Sequence, residues 1–258
     1  MPVIVELRLR GDRTGYVPTT VQLHGLACAL FEGEHSPDHD GQEKPFSIWP
    51  LTPAPDGWLL RAAWLLAGFP QSVLAACGQL RIGPVTCAVT DLALHPVSFA
   101  DLAGGPPCGG ARLDFHSPAY FSQNGSRVVS PDPRLIVGSW RRRWNACADA
   151  AMAISDEQWR VISRSVRLSE FDLRTQRRDT GYGRDQQGFT GSATLRVDRN
   201  APSEARAQFI ALARFADFSG TGAQTTHGFG ATSSVLLLPP APLPSEQTTA
   251  SSTAPSLP

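Results

Sequence analysis

The sequence predicts an α+β fold of two successive βαββαβ units, which is the tandem ferredoxin-like (RRM-like) arrangement, followed by a disordered C-terminal tail. Apolar strands and amphipathic helices occur in this order twice along the chain. A Gly/Pro-rich stretch at residues 103–110 separates the two sets. Residues 239–258 are mostly Pro, Ser, Thr and Ala, a composition with too little apolar bulk to fold. We therefore expect one domain at 1–102, a second at 111–238 and the tail at 239–258.

The first unit begins with residues 3–10, where apolar and polar residues alternate as in a half-buried strand. Residues 19–31 predict a helix because Leu23, Leu26 and Leu30 fall on one face. The polar residues that follow, 32–44, show no period and predict a loop. The unit continues with strands at 46–51 and 58–66, a short helix at 70–77 and a strand at 85–95.

The second unit repeats this order without obvious sequence identity to the first. It is predicted to contain a strand at 112–121, a helix at 133–153, strands at 161–175 and 188–197, a helix at 202–217 and a last strand at 229–238. Between its last helix and its last strand lies a glycine-rich segment, GTGAQTTHGFG, at residues 220–230. This segment is called the glycine loop below.

The glycine loop does not match a nucleotide-binding motif. A dinucleotide-binding glycine motif leaves a strand and opens a helix, whereas this loop leaves a helix and opens a strand. It also lacks the Gly-Lys-Ser/Thr of a phosphate-binding loop. Its glycines, Gly220, Gly222, Gly228 and Gly230, predict a backbone that turns sharply and offers N–H groups to an extended anionic ligand.

Charge is polarised along the chain, although the formal net charge is zero. Residues 1–60 hold three arginines and Lys44 against eight acids, a balance of −4, whereas residues 134–178 hold ten arginines against five acids, a balance of +5. The arginine-rich part predicts a surface that follows a phosphate backbone.

No apolar run approaches the ~18 residues of a membrane span. Five cysteines without a C-x-x-C pair predict reduced thiols in a cytoplasmic protein.

Four segments in register carry a resemblance to a known family. They are HDGQEKPF at 39–46, FHSPAYF at 115–121 followed by PDP at 131–133 and Trp140, GFTG at 188–191, and the glycine loop. In this order they resemble the CRISPR repeat-processing endoribonucleases, which cut the long CRISPR transcript within each repeat to release guide RNAs. The resemblance spans residues 1–238, and Gln224 stands where many members carry a loop lysine.

The resemblance implies a metal-independent cut in which the 2′-hydroxyl of the RNA attacks the neighbouring phosphate and leaves a 2′,3′-cyclic phosphate. Such a reaction needs a proton acceptor, a proton donor and positive charge at the phosphate. His39 occupies the position where the family commonly places its catalytic histidine, and Asp38 and Asp40 beside it favour its imidazolium. Lys44 is expected to stabilise the negative charge of the phosphate. His24 is expected to be the second polar group at the catalytic site, beside His39.

Other candidate residues complete this interpretation. If the loop aligns with the family in a different register, His35 is the candidate catalytic histidine in place of His39. His227 is a candidate either for RNA contact or for stabilising the turn. We expect the glycine loop and a set of arginines to bind RNA; these are Arg141, Arg142, Arg143, Arg174, Arg177 and Arg178. Three consecutive arginines cannot all face one way on a helix, so we expect one or two of them to be plain surface charge.

Two other functions stay open at this stage. One is a family member that binds repeat RNA without cutting it, as a subunit of a CRISPR complex. The other is a metallohydrolase using His35, His39 and the aspartates beside them, against which Pro37 argues because it breaks the helix that would align them. No cofactor or resident metal is expected. The expected partners are the repeat RNA and subunits of a CRISPR interference complex, without a membrane, and monomer and homodimer are both open.

Overall fold

The computed structural model describes residues 1–11, 15–32, 44–75, 78–105 and 108–238. The predicted tail at 239–258 lies outside these residues. Within them the chain forms, in order, β1 (Val3–Arg10), α1 (Thr20–Glu32), β2 (Phe46–Ile48), β3 (Thr52–Ala54), β4 (Gly57–Trp64), α2 (Gln71–Ala75), β5 (Gln79–Ile82), β6 (Val85–Pro96), α3 (Phe99–Ala103), β7 (Gly110–Ala119), β8 (Phe121–Gln123), β9 (Ser126–Val128), α4 (Pro133–Cys147), α5 (Asp156–Ser165), β10 (Val166–Asp179), β11 (Asp185–Val197), α6 (Ser203–Ser219) and β12 (Thr232–Leu237).

The first sheet has the strand order β2-β4-β1-β6-β5, with β3 also paired to β4, and every pair is antiparallel. Helix α1 covers one face because its apolar stripe, which includes Leu23, Leu26 and Leu30, meets Leu7 and Leu60 of the central strands in one core. Leu23, Leu30 and Leu60 are fully buried. The stripe that predicted the helix is therefore the surface that attaches it to the sheet.

The second sheet has the order β10-β11-β7-β12, also antiparallel throughout. Helix α4 starts at a Pro in its first turn, and the side chain of the N-cap Asp132 accepts the Arg134 amide at 2.7 Å. Its Trp140 and Trp144 are buried in the core of this unit beside α6. In both sheets the four main strands follow the ferredoxin-like order, so the predicted α+β fold of two such units is confirmed.

Helix α6 joins the two units. Its buried residues face all sides rather than one stripe, as expected for a helix enclosed between layers. Phe209 and Phe215 lie in the core of the second sheet, and this core extends to Ile4 and Leu65 of the first unit. The Ser47 hydroxyl also donates to the carbonyl of Phe218. The end of α6, where the glycine loop begins, is thus held against the first unit.

Two predicted elements of the second unit are wrong in extent. The helix predicted at 133–153 ends at Cys147, and residues 150–152 form only a short 3₁₀ turn. The strand predicted at 161–175 begins at Val166, because residues 156–165 form α5. Ser155 and Gln158 cap that helix reciprocally, each side chain accepting the other residue's amide. This local signal outweighs the β-branched residues at 161 and 162.

Other differences are smaller. The strand predicted at 46–51 is divided into β2 and β3, strand β5 was not predicted, and the final strand begins at Thr232 because residues 229–231 belong to the glycine loop. None of the helices in the described ranges is long and apolar enough to cross a membrane. The domain limits at 102 and 111 stay predictions.

Candidate RNA-processing site

A cleft of about 410 Å³ opens where the two units meet. One wall comes from α1 and the start of β2, and the other comes from the glycine loop, α4 and β8. The residues that line it are His24, Lys44, Phe121, Ser122, Arg142, Arg143, Gly222, Ala223, Gln224, Thr225, Thr226 and His227. Two of the three predicted catalytic residues and part of the predicted RNA-binding set therefore share one cleft.

Buried contacts set the shape of the glycine loop. Gly222 and Gly230 have φ values of +87° and +59°, and a Cβ at either position would overlap a backbone carbonyl oxygen. The buried hydroxyl of Thr221 accepts a hydrogen bond from the Trp140 indole at 2.9 Å and another from Thr232 at 2.8 Å. The loop is therefore a rigid part of the second unit, and only glycine fits at these two turns.

Most backbone N–H groups of the loop are bonded inside the protein, contrary to the expectation that they face a ligand. The amides of Thr221, Ala223, Phe229 and Gly230 all donate to backbone carbonyls. Within the described residues, no hydrogen bond is found for the amides at 224–226, which lie at the cleft wall. Anion contact by the loop backbone is therefore restricted to these three positions.

Gln224 has a structural role in the loop. Its backbone is left-handed, with φ of +54°, and its side-chain oxygen accepts a hydrogen bond from the Tyr120 hydroxyl at 2.6 Å. Burial raises the pKa of Tyr120, which keeps the hydroxyl protonated and able to donate. Gln224 thus fastens the loop to Tyr120, which lies between β7 and β8.

His24 lies on α1 with its ring turned to the glycine loop. Its Nδ1 is 3.0 Å from the Thr226 carbonyl oxygen, and because a carbonyl only accepts, Nδ1 carries the proton in this bond. The neutral ring then has a bare Nε2, which is 3.6 Å from the sulfur of Cys28. Burial, with the charge of Glu32, raises the pKa of that thiol to about 11. Cys28 therefore remains a weak S–H donor, and His24 can accept a proton at Nε2.

His227 stacks on His24. The ring centroids are 3.9 Å apart and the planes differ by 3°. Burial, and secondly the charge of His24, lowers the pKa of His227 to about 4. His227 is therefore neutral near pH 7.

Lys44 lies at the cleft but is already in an ion pair. Its Nζ is 2.6 Å from a carboxylate oxygen of Glu32, and their side chains are only 13% and 11% exposed. The pair ties the start of β2 to the end of α1, so the Lys44 charge is held in place and partly offset. Arg143 also braces this segment, because its guanidinium donates to the carbonyls of Lys44 and Phe46 at 3.3 and 2.8 Å.

The three consecutive arginines of α4 make three different sets of contacts. Arg141 is bound away from the cleft, donating to the Ile154 carbonyl at 3.0 Å and pairing with Asp156 at 2.7 Å. Hydrogen bonding to Arg141 lowers the pKa of Asp156. Arg143 donates hydrogen bonds to the backbone at Lys44 and Phe46, whereas Arg142 is exposed and lines the cleft. Arg142 is thus the member of this run best placed to meet a phosphate.

The arginines of β10 are also divided. Arg178 donates to the Gly228 carbonyl at 3.2 Å, and burial lowers its pKa to about 10, so it supports the loop while charged. Arg174 and Arg177 are exposed on the same strand but do not line the cleft. Gly220 is buried at the end of α6. The structure therefore does not bring the whole predicted RNA-binding set together at one site.

His39, His35, Asp38 and Asp40 lie outside the described residues, so the predicted catalytic histidine and the alternative metal cluster are not located. Among the residues that are described, no group of three or more His, Cys, Asp or Glu side chains could hold a metal ion. The sequence did not indicate two residues that contact cleft-lining side chains, Cys28 beside His24 and Glu32 paired with Lys44. Their spacing from His24, four and eight positions along α1, was the available signal, because such positions share a helix face.

Comparison with known proteins agrees with this architecture. The family model for CRISPR-associated endoribonuclease Cas6 matches residues 113–232. A CRISPR-associated endoribonuclease Cas6 from Mycobacterium tuberculosis is 32% identical over 157 residues, covering 59% of this chain and 49% of the relative. The chain thus aligns with about half the length of the curated relatives it matches.

Solved structures match nearly the whole chain. A Cas6 product complex superposes with a TM-score of 0.77 at 25% identity, covering 91% of this chain and 100% of that one. Thermus thermophilus Cas6 superposes with a TM-score of 0.73 at 28% identity, covering 91% and 98%. These structures and the strand orders of the two sheets define a protein of the tandem ferredoxin-like class. The chain is thus similar to CRISPR-associated endoribonucleases Cas6 in its second unit by sequence and over most of its length by fold.

Proposed function

We propose that this protein is a metal-independent endoribonuclease that cleaves CRISPR precursor transcripts within their repeats. The observation that carries the proposal is the cleft in which His24 and Lys44 of the first unit face the glycine loop and Arg142 of the second. Acid–base groups, positive charge and loop amides converge there. The names of the relatives, which include a Cas6 product complex, support the same substrate class.

The reaction follows from what each group can do. The 2′-hydroxyl beside the scissile phosphate is the nucleophile, so the protein must accept its proton, protonate the 5′-oxygen that leaves and stabilise the anionic transition state. In the proposal, His24 and His39 carry the two proton transfers, and Lys44 and Arg142 supply positive charge. The products are a 2′,3′-cyclic phosphate and a 5′-hydroxyl, and no cofactor takes part.

The remaining expectations belong to the same proposal. The protein works in the cytoplasm on repeat RNA, and it retains its product as part of a CRISPR interference complex. A homodimer stays one of two oligomeric states to be tested. The rigid glycine loop supports retention of the product, because a preformed surface loses little entropy when RNA binds.

The proposal is tested by incubating the protein with repeat RNA from its own CRISPR locus in the presence of EDTA. A single cut at a fixed position, giving a cyclic phosphate end, is the expected result. Tight binding without any cut would identify a non-cleaving subunit instead. Cutting that requires a divalent metal ion would favour the metallohydrolase.

Arg142→Ala should weaken RNA binding and flatten its salt dependence, because one lost phosphate contact removes about 0.7 from the single-strand log–log slope. Arg141→Ala is the matched control: it removes the same charge one position away, but Arg141 pairs with Asp156 outside the cleft. It should lower the melting temperature and leave the slope unchanged. Fluorescence anisotropy between about 50 and 200 mM salt measures both slopes. Equal slopes in the two variants would contradict a phosphate contact by Arg142.

A further inference from the structure

His227 has no role in the proposed chemistry, yet its ring covers that of His24. Residues 225–227 form a 3₁₀ turn in the glycine loop that contacts α1. The Thr226 carbonyl bonds Nδ1 of His24, and the next residue supplies the stacked ring. Two successive residues of the second unit thus fix one side chain of the first unit, by a hydrogen bond and by ring contact.

The approach of the loop to α1 is close and depends on the local backbone. Gly228 has φ of +82°, and a Cβ there would meet the Leu23 side chain at 2.8 Å, next to His24 on α1. The His227 ring is itself oriented, because its Nδ1 lies 3.0 Å from the Thr226 hydroxyl. The stacked geometry is therefore imposed by the loop.

Charged and titratable groups from every neighbouring element surround this pair. They are Cys28 and Glu32 of α1, Lys44 before β2, Arg142 and Arg143 of α4, and Arg178 of β10. The ring of His227 is half-buried, and burial is the main cause that disfavours a positive charge on it. A pKa of about 4 makes His227 a poor proton donor and a weak base near neutral pH. Proton transfer is therefore not its role near pH 7, and the contact that it makes with His24 is ring stacking.

We propose that His227 is a positioning residue for His24: its neutral ring packs on the imidazole of His24 and holds Nε2 in the orientation needed in the cleft. The inference rests on the proposed endonuclease function and on His24 being one of its acid–base groups. The stacking contact connects the glycine loop, which is proposed to contact the RNA, with α1, which holds the proposed acid–base residue His24. A misplacement of about 1 Å can cost on the order of 10²-fold in rate, so a ring without direct chemistry can still matter.

Two variants of His227 distinguish the effect of the stacked ring from the effect of its nitrogens. His227→Phe keeps a flat ring, whereas His227→Ala removes it. At saturating repeat RNA, His227→Ala should lose about 10–10²-fold in single-turnover rate, while His227→Phe should stay within a few-fold of wild type. RNA affinity should change little in either. In a His24→Ala background, His227→Ala should cost nothing further, because a residue that acts only through His24 is not additive with it.

The stack is also measured without RNA. In the NMR spectrum of the free protein, the ring protons of His24 should show a ring-current shift that is lost in His227→Ala and kept in His227→Phe. Absence of that shift overturns the proposal, as does His227→Phe being as slow as His227→Ala, which would assign the role of His227 to its ring nitrogens rather than to stacking. Normal cleavage by His227→Ala overturns it while the endonuclease stands. A wild-type protein that cuts no repeat RNA overturns the endonuclease itself and the positioning role with it.

Discussion

Replacing His24 with alanine should slow single-turnover cleavage of repeat RNA by about 10²–10⁴-fold, the usual loss when a general acid or base is removed. Nδ1 of His24 is engaged by the Thr226 carbonyl, so Nε2 is the nitrogen that can exchange a proton with RNA. Repeat affinity should stay within a few-fold, because Arg142 and the loop amides provide the phosphate contacts. Quenched-flow assays with enzyme in excess measure the rate, and anisotropy measures the affinity.

The companion variant is His39→Ala, for which the family resemblance predicts a loss of the same size. His95→Ala is a suitable control, because His95 lies on the first sheet, pairs with Glu6 at 3.5 Å and is absent from the cleft lining. It should cut at the wild-type rate, as should His35→Ala. Normal cutting by His24→Ala, with His39→Ala inactive, would show that His24 only supports the loop. Normal cutting by both would place the chemistry elsewhere.

Lys44→Ala should fall between wild type and the histidine variants, since it removes charge stabilisation but no proton transfer. The same change also removes the ammonium that pairs with the nearly buried Glu32 carboxylate, which is itself destabilising. Glu32→Gln distinguishes the two effects: it keeps the Lys44 ammonium and removes only the carboxylate charge that offsets it. A melting curve for each variant separates loss of fold from loss of rate.

The sequence predicted those elements whose signal is local and periodic. Helix α1 was predicted to within one residue at each end, because its leucines repeat on one face, and β1 because its residues alternate. The sequence predicts a strand from residue 161 instead of α5, because Val161 and Ile162 are β-branched, whereas the Ser155–Gln158 capping box is the signal for the helix. Two local signals thus compete in residues 155–165, and the capping box decides in favour of the helix.

The candidate site was predictable only in part, because most of its geometry comes from contacts between distant segments. Composition located the glycine loop and charge counting located the arginine-rich helix. The bond between His24 and Thr226 joins residues 202 positions apart, and no local pattern encodes it. The same holds for Arg141, whose pairing with Asp156 requires α5 to be known as a helix. Residue types therefore indicated the chemistry, while the fold decided which of them meet.

A repeat RNA carrying 2′-deoxyribose at the nucleotide 5′ of the scissile phosphate should bind normally and resist cleavage almost completely. The proposed reaction takes its nucleophile from the substrate, so removing that oxygen removes the bond-forming atom, whereas a missing protein group only slows the step. Binding should persist because it depends on phosphate contacts distributed along the strand. Denaturing gel analysis in EDTA measures cleavage, and competition with unmodified repeat measures affinity.

The matched control is the same RNA with the deoxyribose moved one nucleotide upstream, where the hydroxyl is not in line with the scissile phosphate. That RNA should be cut at nearly the unmodified rate, which excludes a general effect of sugar pucker or lost hydrogen bonding. Efficient cutting of the first RNA would require a water molecule or a protein side chain as nucleophile. In that case His24 and Lys44 would need new roles, because no proton would be taken from a ribose hydroxyl, and the product would end in a simple phosphate rather than a cyclic one.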